Sequence, residues 1–129
     1  MNTLVKLMLV FMLMLVATPA FSAEAIHMWQ CEMDDDATEE EVVASAKAWV
    51  SAAKKIEGGA QIKAYVYFPV AVTNTGESDL TFVVIAPSFA EWGKFWDNYS
   101  GSAAAEVERQ NLEKVVCPDS AVWESIKIQ

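Results

Sequence analysis

The stretch IHMWQCEM, from Ile26 to Met33, holds the only histidine of this chain and one of its two cysteines, with a tryptophan between them. A histidine among aromatic side chains could act as a general base or as a ligand of a metal or a haem. It could equally be a strand residue whose ring nitrogens make ordinary hydrogen bonds. His27 is therefore the candidate catalytic residue of this sequence, and no recognisable motif surrounds it.

The two cysteines, Cys31 and Cys117, are expected to form a disulfide if the protein is exported to an oxidising compartment. The bridge would close a loop of 86 residues, worth about 4 kcal/mol on the chain-entropy model. The alternatives are two free thiols or a bridge between two molecules. Two cysteines and one histidine fall short of the four ligands of a structural zinc site, so we expect neither a metal nor another cofactor.

The N-terminal segment, residues 1–23, has the pattern of a secretory signal peptide. Lys6 gives it a basic start, and the apolar run from Leu7 to Ala17 is too short to span a bilayer. Small residues then follow. The sequence therefore predicts an exported protein, periplasmic or extracellular, with no membrane contact after cleavage, and the alternative is a retained membrane anchor.

The cleavage site is expected after Ser22, Ala23 or Ala25. Cuts after Ser22 and Ala25 place small residues at both positions that the signal peptidase reads, whereas a cut after Ala23 places Phe21 at one of them. A cut after Ala23 leaves residues 24–129 as a single domain, which is long enough to enclose one hydrophobic core.

Acidic residues dominate the charge, with 18 Asp and Glu against 9 Lys and Arg and a net charge of −9. Such a surface repels the phosphates of nucleic acids and anionic lipids, so we expect no nucleic-acid partner. The acids of Asp34–Asp36 and Glu39–Glu41 could attract calcium, but they lack the glycine and the spacing of an EF-hand loop. They also suit the first turn of a helix, and we predict no metal site.

Hydrophobic periodicity and turn residues predict the order strand, helix, strand, strand, helix, strand. Thr38 with Glu41, and Ser88 with Glu91, match capping boxes at the starts of the two main helices. The predicted elements are a strand Ile26–Met33, a helix from Thr38 to Gly58, strands Ile62–Val72 and Leu80–Ala86, a helix from Ser88 with a further piece Ala103–Leu112, and a strand Ala121–Ile128.

This order is the α+β, ferredoxin-like βαββαβ arrangement, a four-stranded antiparallel sheet with its helices on one face. In that topology the first and last strands are antiparallel neighbours. Cys31 at the end of the first strand and Cys117 just before the last are thereby brought together. The topology was assigned without the cysteines, so the agreement supports both the fold and the bridge.

The sheet face without helices is expected to be aromatic. Alternation along the strands groups Tyr65 with Tyr67 on this open face, joined by His27 and Trp29 from the first strand and by Trp123 from the last. An aromatic surface of that extent is rarely left to water in a monomer, so we expect a homodimer. The aromatic residues of the second helix are interpreted mainly as core.

In its element order, its length and its aromatic helix FAEWGKFW, from Phe89 to Trp96, the sequence resembles the dimeric α+β barrel superfamily. The resemblance covers Ile26 to Ile128. It implies two ferredoxin-like chains that pack open face to open face around a pocket. Members include cofactor-free monooxygenases of antibiotic biosynthesis, haem-handling enzymes, and EthD-like and NIPSNAP-like proteins. No catalytic residue of these families matches a position here.

The function expected from these observations is an exported dimer that binds a small apolar or aromatic molecule. The ligand-binding candidates are Trp29, Tyr65, Tyr67 and Trp123, which could equally serve dimer packing. One alternative is a cofactor-free monooxygenase or isomerase that uses His27 or a pocket tyrosine. Another is a structural protein without any pocket.

Overall fold

The structure is a computed structural model that describes residues 23–71 and 78–128. All of the expected signal peptide except Ala23 lies outside the described residues. The elements are β1 (Glu24–Met33), α1 (Glu39–Ala53), β2 (Lys63–Tyr67), β3 (Leu80–Ala86), α2 (Phe89–Asp97), α3 (Ala103–Asn111) and β4 (Val115–Ser125). The predicted order is confirmed.

Several boundaries differ from the prediction, and the differences at β2 and β4 can be explained by prolines or change the position of Cys117. β2 ends at Tyr67, because Pro69 has no N–H to continue the ladder. β4 begins at Val115 rather than Ala121, so Cys117 lies within the last strand and not before it. The pairing of β1 with β4 shifts register between Gln30 and Glu32, opposite the stretch of β4 that carries Pro118. A β-bulge at this point accommodates Pro118, which has no backbone N–H to donate to the ladder.

The sheet has the strand order β2-β3-β1-β4 with every neighbouring pair antiparallel. This is the ferredoxin-like arrangement predicted from the sequence. As expected, the first and last strands are neighbours. Cys31 and Cys117 form a disulfide, with 4.0 Å between their Cα atoms, which ties β1 to β4.

Side-chain caps fix the starts of all three helices. Thr38 and Glu41 form the reciprocal capping box at α1, and the hydroxyl groups of Ser88 and Ser102 accept backbone N–H groups at α2 and α3. α1 ends at Ala53, and the chain turns through Gly58 at a φ of +83°, where a Cβ would lie 2.6 Å from the Glu91 carbonyl oxygen. Glycine therefore lets the end of α1 approach the backbone of α2 closely.

The hydrophobic core lies between the sheet and the helices and consists of two clusters. The larger cluster packs β1 and β3 against α1 and α2, and its buried members include Ala25, Trp49, Val84 and Phe95. The smaller one joins Cys31, Val42 and Leu80 near the disulfide. Trp29 and Phe82 touch both clusters, so the space between them is bordered by aromatic rings.

One sequence-based prediction is wrong: His27 and Trp29 do not lie on the open face. The β1–β3 register aligns Trp29 with Phe82, and both side chains lie on the face of the sheet that the helices cover. There the ring centroids of Trp29 and Trp96 are 5.8 Å apart. His27 lies 5.4 Å from Trp96 on the same side. Strand alternation grouped these residues correctly with Cys31, but it does not say which face of a strand meets the helices.

Candidate functional site

A cavity of about 410 Å³ lies between the helix side of the sheet and the helices α1 and α3. β1 and β3 form its floor, and the first residues of β4 and the disulfide close one end. It exists because the two core clusters are separated by a gap that α1 and α3 cover without filling. Its volume is in the range of small-molecule binding sites, about 300–1,000 Å³.

Aromatic rings form much of the cavity wall. Trp49 of α1 packs edge to face against Phe82 of β3, with 5.3 Å between the ring centroids. The ring of Tyr99, which follows α2, has its centroid 4.7 Å from that of Trp96. Such tilted and edge-on contacts are the favoured geometries of aromatic pairs and hold the rings in fixed orientations. The wall is therefore largely apolar and rigid.

A chain of hydrogen bonds places polar groups at the cavity lining. The indole N–H of Trp49 donates to the Tyr99 hydroxyl at 2.7 Å, and that hydroxyl donates to a carboxylate oxygen of Glu108 at 2.5 Å. Burial, followed by the hydrogen bond to Glu108, raises the pKa of Tyr99, so its hydroxyl remains a neutral donor. Ser45 of α1 donates to Asn111 of α3 at 2.7 Å. These bonds give the apolar cavity a small number of fixed polar groups.

His27 lies in the cavity wall, stacked on Trp29 with 3.6 Å between the ring centroids. Burial lowers the pKa of His27 from 6.5 to about 4, so the imidazole is neutral at pH 7. Its Nδ1 atom is buried and has no hydrogen-bond partner among the described residues. A ligand in the cavity could therefore not reach the Nδ1 atom of this ring.

Two indole nitrogens near His27, those of Trp92 and Trp96, are also buried without a hydrogen-bond partner in the described part of the chain. Because these atoms are closed off from the cavity, a ligand cannot reach them while the wall keeps its present packing. Aromatic rings lie near both indole groups, with 6.0 Å between the ring centroids of Trp92 and His27 and 4.7 Å between those of Trp96 and Tyr99.

The other predicted ligand-binding residues lie on the opposite side of the sheet. Tyr65, Tyr67 and Trp123 are on the open face, with 43%, 55% and 58% of their surfaces exposed. Their shared face is as predicted, while the cavity is on the side that holds Trp29 and His27. The binding roles of these four aromatic residues remain predictions, and they cannot all serve one pocket within a single chain.

Several residues that line the cavity are not among the candidates predicted from the sequence. Trp49 lies within the predicted first helix and Phe82 within the predicted strand Leu80–Ala86, where an aromatic residue is most simply interpreted as core. Glu108 carries no signal in the sequence, because an acid on a helix surface is commonplace. The spacing of Trp96 and Tyr99, three residues apart on one helical face, was the only available hint.

The described residues contain no group of three or more His, Cys, Asp or Glu side chains arranged to hold a metal ion. Within the same ranges, 23–71 and 78–128, no helix is both long and apolar enough to cross a membrane.

No protein-family model and no curated protein matches this chain. Among solved structures, the chain is similar to a mutant chlorite dismutase from Candidatus Nitrospira defluvii, with a TM-score of 0.40 and 16% sequence identity. The match covers 82% of this chain and 41% of the dismutase chain, so this chain spans less than half the length of that protein.

Proposed function

We propose that this protein binds a small, largely apolar molecule in the cavity beneath α1 and α3. The observation that carries the proposal is a 410 Å³ space with an aromatic wall and a few fixed polar groups. Sites for small organic molecules combine these two features. The network of contacts around Trp49, Trp96 and Tyr99 holds the wall in place before any ligand enters, which reduces the entropic cost of binding.

Binding is favoured over catalysis because the cavity contains few groups able to transfer a proton. His27 has a pKa near 4, which makes it a weak base, and its Nδ1 atom is sealed from the cavity. Efficient general bases have a pKa close to the working pH. A cofactor-free monooxygenase or isomerase that depends on His27 is therefore the less favoured candidate.

We also propose that the protein is exported and that it forms a homodimer. The disulfide between Cys31 and Cys117 suits an oxidising compartment. Ala25 is fully buried and pairs with Ala86, which favours cleavage after Ser22 or Ala23 over cleavage after Ala25. The exposed aromatic face of Tyr65, Tyr67 and Trp123 suits a second copy of the chain, as in the dimeric α+β barrels.

The test fills the cavity with a longer side chain. Ala46 lines the cavity, whereas Ala48 lies on the exposed side of the same helix. We expect Ala46→Leu to weaken the binding of toluene at least about tenfold, because the added carbons occupy the ligand's space. Isothermal titration calorimetry measures this effect.

The matched control is Ala48→Leu, which adds the same carbons to the same helix and should leave the toluene affinity within about twofold. Equal affinity of the wild-type protein and the Ala46→Leu variant would contradict binding in this cavity.

A further inference from the structure

We propose that the ligand of this cavity is an organic cation, an ammonium group carried on an apolar body. This inference rests on the proposed function and adds the charge of the ligand. It follows from the charges at the cavity lining, from the aromatic rings beside them and from the acidity of the whole chain.

Among the described residues, Glu108 is the one acidic side chain that lines the cavity, and no lysine or arginine lines it. The other ionisable side chains of this lining are His27, which burial keeps neutral at pH 7, and Tyr99, which is protonated. A ligand bound there consequently meets a carboxylate and no basic side chain of that lining.

The carboxylate of Glu108 is also free of ion pairs among the described residues. The neighbouring Arg109 pairs with Glu106, and Lys114 pairs with Glu41 of α1 at 3.0 Å. Among the described residues, Glu108 accepts a hydrogen bond from the neutral hydroxyl of Tyr99 and from no basic side chain. Glu108 is exposed at the edge of the cavity, where its carboxylate can attract a cation that binds beside it.

The aromatic rings lie where a cation next to Glu108 would meet them. The hydroxyl oxygen of Tyr99 is 2.5 Å from a carboxylate oxygen of Glu108. The centroid of the Tyr99 ring is 4.7 Å from that of Trp96 and 6.2 Å from that of Trp49. The faces of tryptophan and tyrosine rings attract cations within about 6 Å. A bulky ammonium group combines both attractions, since it is poorly hydrated and presents apolar carbon to the rings.

The net charge of the whole chain also favours a cationic ligand. A net charge of −9 raises the local concentration of cations around the protein and repels anions. An anionic ligand would face this field and also the Glu108 carboxylate, with no basic side chain in the lining to hold it.

The experiment compares two ligands of the same shape, phenyltrimethylammonium and the uncharged tert-butylbenzene. Quenching of tryptophan fluorescence reports binding, because Trp29, Trp49 and Trp96 line the cavity. We expect the cation to bind at least about tenfold more tightly than its isostere. Glu108→Gln should remove most of this preference, so that the affinities for the two ligands differ by less than about threefold.

The matched control is Glu113→Gln, which removes one negative charge from the exposed turn after α3, outside the lining. Its affinity for the cation should stay close to that of the wild type if the effect belongs to Glu108 and not to net charge. Equal binding of both ligands, or equal losses in the two variants, would overturn the cation proposal and leave the apolar cavity site standing. Binding of neither ligand would overturn the proposed function as well.

Discussion

His27 shows how burial decides what a titratable side chain can do. A lone histidine in the sequence was a candidate general base, yet stacking on Trp29 and contact with Trp96 remove much of its water. The charged imidazolium loses more solvation than the neutral ring, and the pKa falls to about 4. The residue type could be read from the sequence, but this environment depends on which face of β1 meets the helices.

The pKa of His27 predicts a specific loss of stability in mild acid. The folded protein binds this proton only near pH 4, whereas the unfolded chain binds it near 6.5, so the free energy of unfolding falls as the pH drops from 6.5 to 4. Between pH 7 and pH 4.5 the loss should be about 2–3 kcal/mol. Urea unfolding at the two pH values measures it.

The control for this prediction is His27→Phe, which keeps an aromatic ring but cannot be protonated. Carboxylates such as Glu41, whose pKa is lowered by Lys114, contribute equally to both proteins and cancel in the comparison. An identical pH dependence in the wild type and the variant would show that His27 is not buried as described.

At the scale of elements, capping residues and strand alternation were sufficient to predict the fold, and the cysteines supported it independently. Thr38 with Glu41 and Ser88 with Glu91 placed the helix starts, and the element order placed β1 beside β4. The face of β1 was assigned wrongly, because its two sides, Ile26 with Met28 and His27 with Trp29, are similarly apolar. Strand alternation shows which face of a strand packs against the helices only when the other face is clearly polar.

The disulfide between β1 and β4 predicts a large effect of reduction. The bridge closes a loop of 86 residues, and its loss should lower the free energy of unfolding by about 4 kcal/mol, because the unfolded chain regains its freedom. Guanidinium unfolding with and without dithiothreitol measures the change. The double variant Cys31→Ala, Cys117→Ala is the control and should not respond to the reductant. A wild-type protein with the same stability in both conditions would argue against the bridge.

At the scale of the whole molecule, the two sides of one sheet carry different features. The helix side contains the cavity, and the open side presents Tyr65, Tyr67 and Trp123 to the surroundings. The open aromatic side followed from the sequence. The cavity could not be predicted, since it depends on how closely α1 and α3 pack on the sheet, a property of the three-dimensional packing that periodicity does not encode.

The open face predicts self-association. We expect the wild-type protein to sediment as a dimer and Trp123→Glu to weaken the dimer at least about 100-fold, since it places a charge among the exposed aromatic residues. Val122→Glu is the matched control, because Val122 is a partly exposed residue on the other face of the same strand. A wild-type protein that sediments as a monomer throughout the micromolar range would contradict the dimer.

An NMR titration of the labelled protein with toluene tests whether a small apolar molecule binds on the helix side of the sheet. We expect chemical-shift changes at the indole group of Trp49 and at Val42 and Val107, with intermolecular NOEs from the toluene ring to the same groups. Changes confined to Tyr65, Tyr67 and Trp123, or no changes at saturating toluene, would contradict it.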